Sequence, residues 1–472
     1  MKGKGNLLFI LFSSSWFLIY IFFCIVYYKE RILNLDCSTF FYEIINDNKF
    51  TYPGYRMTSI ITQLPLRLAT FTPLSINTLL FIFSLSFPLI YLFSFLLIHL
   101  KFRQPKVAVI MLVSLILSSG YSFYYPVGET FLSIVFSSLL IAVLSAAFSD
   151  QKFTVENYIW VIVFLIGAFF SHPSSVIMVF FILGFFFFDA PPSRQKNKLL
   201  AFTFLFSTAI IITKLLVFTD AGKYDADLYS QLYNIPGLIS GLFKLYPFEY
   251  AASRFKYLYL LPSVIFILSL IFLIRSHKIG LLLFGIIYFV FALLLTVIIY
   301  NRGDSGVMME RSFMPVVFIC VVLFCLIPSK HLMINYLITI SAILLSLFSF
   351  YRISFSGTEY TNRLTALKEI IRYQRETKQP KLIASWSQLS PDAKFCYWDT
   401  PFDVLFLSSI DDGEQTTLYC CDDISQIDLK NNSAHLFLGF PWRLYLDEEI
   451  LNRKYFNLKS VPYTLLNKKL IP

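Results

Sequence analysis

Apolar runs of about 20 residues recur from the N-terminus to near residue 351, each closed by a short polar break. Wound as a helix, a run of that length matches the hydrocarbon core of a bilayer. Lipid leaves the backbone no other local option, because an isolated strand there cannot pair its N–H and C=O groups. The runs fall near 6–28, 76–100, 107–124, 131–148, 157–171, 174–189, 199–218, 257–274, 279–300, 312–328 and 332–351. Composition agrees: charged residues make up 14% of the 472 positions, against about 25% in soluble domains. The net charge of +10 belongs with this picture. Its Lys and Arg sit in short interhelical loops, where they set topology and meet anionic headgroups, and no basic stripe marks a nucleic-acid surface.

The first run follows Lys2 and Lys4, leaves through Tyr27 and Tyr28, and lacks a small-x-small cleavage site, so it reads as a retained span. With the N-terminus inside, the cytoplasmic loops are Lys101–Lys106, the Lys152 loop, Arg194–Lys198, Arg275–Lys278 and Ser329–His331, all short and basic. The long loops 29–75 and 219–256 and the segment 301–311 then lie outside. The pair 157–171 and 174–189 is broken by Ser171-His172-Pro173-Ser174 and reads as two spans or a re-entrant pair. Counting it as one broken span would flip every later loop against the positive-inside rule, so about eleven spans are expected.

Beyond residue 353 the pattern changes. Thr361 to Lys378 is charged and amphipathic, with Leu364, Leu367, Ile370 and Ile371 at helical spacing. Strand-like segments follow at Lys381–Trp386, Thr416–Tyr419 and His435–Phe440. The expected fold is therefore a polytopic α-helical membrane protein, with a helical domain over 1–353 and a small extracytoplasmic α/β domain over 354–472. Cys396 in that domain invites a disulfide with Cys420 or Cys421, and no cysteine or histidine spacing indicates zinc.

Candidate chemistry gathers in the outer loops. The first contains a helix-like Phe40–Asn46, a turn at Pro53-Gly54 and an amphipathic stretch from Arg56 to Ala69. Asp36, within about two turns of the end of the first span, suits proton acceptance from a sugar hydroxyl or a divalent metal; helix capping is the alternative. Arg56 and Arg67 offer guanidinium groups for a lipid phosphate, or snorkel to headgroups. Glu129 stands where the fourth span begins, as a site residue or as a complement to the helix dipole. Arg302, Asp304, Glu310 and Arg311 cluster near the top of the tenth span. Glu310 and Arg311 are adjacent and cannot share one helix face, so each is expected to have its own partner, with Arg311 gripping a phosphate. His172 is either a satisfied boundary histidine or a site group; Asp220, Asp225 and Asp227 read as a solvated acidic loop before a sugar or metal site.

This constellation resembles the GT-C superfamily of polyprenyl-phosphate-dependent glycosyltransferases. The resemblance rests on Asp36, the segments 40–46 and 56–69, Glu129, His172-Pro173, the Glu310-Arg311 pair and the terminal outer domain. It covers essentially the whole chain as an architecture, through short, degenerate motifs. It implies transfer of a sugar from a polyprenyl-phosphate donor to a lipid, glycan or protein acceptor at the outer face of a bacterial inner or cell membrane, with inversion. Asp36 would be the base. Arg311 and Arg56 would stabilise the departing lipid phosphate, with Glu129, His172, Arg302 and Glu310 also lining the site. Some branches carry a paired acid where this chain has the single Asp36, which leaves a divalent metal open; there is no WWD-like motif of an oligosaccharyltransferase. Rival readings are a polysaccharide polymerase or ligase, whose large outer loop usually lies between late spans, a structural subunit of an envelope machine, and a transporter or flippase. The last calls for charged or unwound positions in mid-membrane and for pseudo-repeats, which the apolar span centres do not offer.

Overall fold

The computed structural model describes residues 2–151, 153–189, 193–217, 241–300, 306–326, 332–397, 399–411, 413–422, 434–440, 443–447 and 451–466. The chain enters through α1 (Lys2–Val26), then three short helices of the first long loop: α2 (Tyr28–Ile32), α3 (Leu35–Asn46) and α4 (Ser59–Ala69). Next come α5 (Ile76–Leu96), which runs on as a wide π turn to Lys101, α6 (Pro105–Leu117), α7 (Thr130–Asp150), α8 (Val155–Phe169), α9 (Ser175–Asp189) and α10 (Arg194–Val217). After the short α11 (Tyr246–Ser253) follow α12 (Leu260–Arg275), α13 (Ile279–Ile299), α14 (Gly306–Leu326) and α15 (Leu332–Glu376).

Five of these segments are long and apolar enough to cross a membrane: Ile76–Lys101, Thr130–Ser149, Arg194–Val217, Ile279–Ile299 and Gly306–Leu326. Shorter apolar helices accompany them, including α6, α8, α9 and α12. The architecture is compatible with a helical, multi-pass membrane protein. The most apolar stretches of α7 and α14 are 78% and 89% buried, whereas those of α10 and α13 are 22% and 33% buried. So α7 and α14 form the centre of the bundle, and α10 and α13 its rim. Exposed Leu205, Leu215, Ile287 and Phe291 sit on that rim, where lipid tails solvate them as well as a protein core would.

Two features depart from the pattern of apolar runs. The run 107–124 is helical only to Leu117; Ser118-Ser119-Gly120 ends the helix, and residues 121–124 form a single 3₁₀ turn. A loop without charged residues leaves no break in a hydropathy profile, and this one is buried by its neighbours, as Phe123 and Tyr124 are. The second feature is α15, one continuous helix of 45 residues, about 68 Å long. It passes position 354 without a break, so the expected domain boundary falls inside a helix. Its amphipathic half buries Leu364, Leu367, Ile370 and Ile371.

Past α15 lie β1 (Lys381–Ser385), a short α16 (Pro391–Lys394), α17 (Thr400–Ile410), β2 (Thr417–Cys421), β3 (Leu436–Phe440), β4 (Arg443–Asp447) and β5 (Thr464–Leu465). The central β1 is flanked in parallel by β2 and β5, while β3 and β4 form a separate antiparallel pair. The parallel β1–β2 pairing requires a crossover, and α17 supplies it by packing on β2. Cys396 and Cys420 form no disulfide in this arrangement. Cys420 is buried within β2, and the Cys396 thiol lies beside Tyr360 of α15.

Candidate functional site

Asp36 is the second residue of α3, which breaks sharply from α2. Asn34 is extended (φ −165°), and Leu35 takes a left-handed φ of 45°, a conformation costing a non-glycine residue about 1–2 kcal/mol. The bend is held by its side chains. Buried Asn34 donates from Nδ2 to Glu30 O (2.6 Å) and Tyr124 O (2.8 Å). Buried Arg31 donates from Nη1 to Phe123 O (2.6 Å) and from Nε to Ser84 Oγ (2.9 Å). The first long loop is thereby tied to the loop after α6. From that second loop the Tyr125 hydroxyl donates to Asp36 Oδ2, so the Asp36 carboxylate is engaged across the bundle rather than used as a helix cap.

The Tyr125 ring lies under the Arg311 guanidinium, 4.6 Å from its centroid. Glu129 Oε2 accepts from Arg311 Nη2 at 3.4 Å and from Arg56 Nη1 at 3.2 Å. Glu129 and Arg311 are only 3% and 8% exposed. Two guanidinium groups thus share one carboxylate oxygen in a site poorly screened by water. Arg311 Nε is buried without a hydrogen-bond partner among the described residues. Gly128 makes the approach possible: a Cβ there would lie 2.9 Å from Arg311 Nε.

His172 occupies the turn between α8 and α9. Its Nδ1 accepts from the Ser174 amide (3.2 Å) and contacts Ser174 Oγ (2.8 Å). Burial, helped by the charges of Arg56, Arg311 and Lys214, pushes its pKa well below the usual histidine range, so it stays neutral beside the arginines. Thr58, near Arg56, donates from Oγ1 to Phe170 O at 2.8 Å, which fixes this turn against the first long loop.

Glu310 and Arg311 do have separate partners. Glu310 turns to Arg352 of α15 and accepts from the Ser122 amide at 2.7 Å, while Arg352 Nη1 donates to Leu117 O at 3.1 Å. This pair clamps the 118–129 loop rather than joining the Arg56–Glu129–Arg311 cluster. Arg67 contacts Asn48 and covers Phe71. Arg302 and Asp304, like Asp220, Asp225 and Asp227, lie outside the described residues. No group of three or more His, Cys, Asp or Glu side chains suited to a metal ion gathers among the described residues.

A second polar cluster, absent from the sequence reading, joins α3 to the C-terminal region. Arg363 of α15, 1% exposed, donates from Nη2 to Asp403 Oδ2 at 2.5 Å and from Nη1 to Leu33 O at 2.9 Å. The other Asp403 oxygen accepts from the Ser38 hydroxyl. Asp399 Oδ2 accepts from the Thr39 amide at 3.2 Å and from the Thr39 hydroxyl. Burial lifts the Asp403 pKa against the opposing pull of Arg363. Burial, reinforced by the charge of nearby Asp36, lifts that of Asp399 well above the carboxylate range. Tyr125, Arg352, Arg363 and Asp399 carry no local motif. The signal the sequence does carry is two arginines: Arg352, directly after the apolar run that ends at 351, and Arg363, within the charged amphipathic segment 361–378. Comparisons with protein-family models, with curated proteins and with solved structures find no match for this chain.

Proposed function

We propose that the chain is an inverting glycosyltransferase that moves a sugar from a polyprenyl-phosphate donor to a hydroxyl acceptor at one face of a bacterial cell membrane. The observation that carries this reading is the convergence, at one end of the bundle, of a carboxylate on a bent loop helix with a cationic cluster. Asp36 contacts Tyr125, whose ring supports Arg311. Arg311 and Arg56 both donate to Glu129, which gathers two guanidinium groups at one point.

In the reaction the acceptor oxygen attacks the anomeric carbon while Asp36 takes the hydroxyl proton. The bond from the anomeric carbon to the phosphate oxygen breaks, and its electron pair leaves with the lipid phosphate. Charge grows on that phosphate as the bond lengthens, and buried guanidinium groups already in place stabilise it without reorganisation. The unpartnered Arg311 Nε offers a donor for it. Neutral His172 limits the positive charge, and Glu310 with Arg352 acts as scaffold. Eleven crossings, with a cytoplasmic N-terminus and the C-terminal domain outside, suit the site: the segments between Asp36, Glu129, His172 and Arg311 then cross an even number of times. The clustering of charge at one end of the bundle favours this over a transporter.

Asp36→Asn tests the assignment. Transfer should fall about 10²–10⁴-fold in a reconstituted assay, with normal folding and unchanged donor binding; full activity refutes it. Mass spectrometry of lipids retained by the purified protein identifies the donor, and flux of a substrate without any lipid-linked sugar would establish the transporter instead.

A further inference from the structure

The first outer loop is not held by the membrane helices alone. Aromatic contacts pack α3 on α17, Phe41 against Phe406 and Tyr42 against Phe402, with ring centroids 5.0 and 4.5 Å apart. At the far end of α3, Asn452 donates from Nδ2 to Ile45 O (2.9 Å) and from its amide to Asn46 Oδ1 (2.8 Å). Lys454 Nζ reaches Thr70 O and Thr72 O just past α4, at 2.8–2.9 Å. At the near end, the turn of α3 that carries Asp36 is held by Asp403 through Ser38 and by Asp399 through Thr39. Asp399 is the more specific of the two. It is fully buried, one of its oxygens takes both donors of a single residue, and its other oxygen has no partner among the described residues. A carboxyl kept so dry is costly unless its geometry matters.

We infer that Asp399, contributed by the C-terminal domain, is a positioning residue for the Asp36 turn, so that the soluble domain completes the active site rather than being an appendage to it. The reason is geometric. Thr39 lies three residues after Asp36, one helical turn along, and the bend before Asp36 rests on a left-handed Leu35. A turn begun in a strained conformation persists only where its surroundings over-determine it. Tyr125 fixes the Asp36 carboxylate from the membrane side; Asp399 fixes the backbone beneath it from the opposite side. Loss of that support displaces the base, and displacements of about 1 Å cost of order 10²-fold in rate.

This inference rests on Asp36 being the base, and the test separates the two. Asp399→Ala, Asp399→Asn, Thr39→Val and Asp36→Asn are prepared as full-length protein in lipid nanodiscs. Turnover, donor Kd and hydrogen exchange of a peptide spanning 33–42 are measured for each. Asp399→Ala should lower kcat 10–100-fold with donor Kd unchanged and speed exchange over 35–39. Asp399→Asn, which keeps an acceptor oxygen for Thr39, should recover kcat to within a few-fold of wild type. Thr39→Val should give an intermediate loss that does not add to that of Asp399→Ala. Unchanged exchange and turnover in Asp399→Ala overturn the inference, as does faster exchange with normal kcat. If Asp399→Ala fails to fold, the Asn and Val variants decide: equal losses in both overturn it, because only the second removes a donor–acceptor pair. An inactive Asp36→Asn beside a fully active Asp399→Ala removes the positioning role alone, whereas a fully active Asp36→Asn removes the base assignment and this inference with it.

Discussion

Removing the Asp403 carboxylate exposes how the first long loop is secured. In Asp403→Ala the Arg363 guanidinium, 1% exposed, loses the carboxylate 2.5 Å away and keeps the Leu33 carbonyl at 2.9 Å. Breaking a buried pair from one side costs about 3–5 kcal/mol, because the remaining charge stays desolvated. Replacing both partners, Arg363→Met with Asp403→Ala, removes the charge as well as the bond. It leaves chiefly the Leu33 carbonyl unpaired, about 1 kcal/mol. The double variant should therefore be more stable than the sum of the two single losses predicts, by at least about 3 kcal/mol. Urea unfolding in detergent micelles, followed by tryptophan fluorescence with all four proteins at one concentration, measures the cycle. Additive single losses, or an Asp403→Ala protein within about 1 kcal/mol of wild type, would refute the reasoning that this pair locks α3 to the C-terminal region.

Arg311→Lys keeps the charge but loses the planar fork and the Tyr125 stack. Donor Kd, read by equilibrium binding of a polyprenyl-phosphate sugar, should rise about 10–100-fold, in line with the loss of about 1.5–3 kcal/mol from a charge-assisted hydrogen bond; an unchanged Kd removes Arg311 from phosphate binding. Gly120→Ala would place a Cβ 2.5 Å from Glu310 Oε1 and 2.8 Å from Arg352 Nη2. It should cost about 1–3 kcal/mol and lower the Tm of the purified protein, while Gly241→Ala, with nothing within 4 Å, should leave it unmoved. Lys381 is buried on β1, donating to Ala434 O and Leu436 O at 2.8 and 2.7 Å, and burial pushes its pKa down to about 8. Between that value and about 10.4 the folded form binds fewer protons than the unfolded form, so stability should rise with pH across this window. Lys381→Met should abolish that rise in pH-resolved unfolding curves.

Much of the helical framework was legible in the sequence. Apolar runs locate α5, α7, α13 and α14 because hydropathy is a local sum, and a backbone in lipid has to satisfy itself within each run. Strand-like composition and helical spacing likewise locate β1, β2, β3 and the amphipathic half of α15, whose Leu364, Leu367, Ile370 and Ile371 are all buried. Asp36, Arg56, Glu129 and Arg311 stood out as charges beside apolar segments. That Arg56 and Arg311 meet on one Glu129 oxygen was not legible, nor was the use of Glu310 by Arg352. The same local sum concealed the loop after α6, because residues 118–128 carry no charge to mark a break.

What the tertiary structure alone decided is the pairing of distant polar groups. Ser38 with Asp403 and Thr39 with Asp399 are separated by 365 and 360 residues, and Tyr125 with Asp36 by 89. A single sequence records which residues are charged or polar. Which of them meet is set by how the helices pack, because a buried polar group has to find its partner wherever the fold provides one.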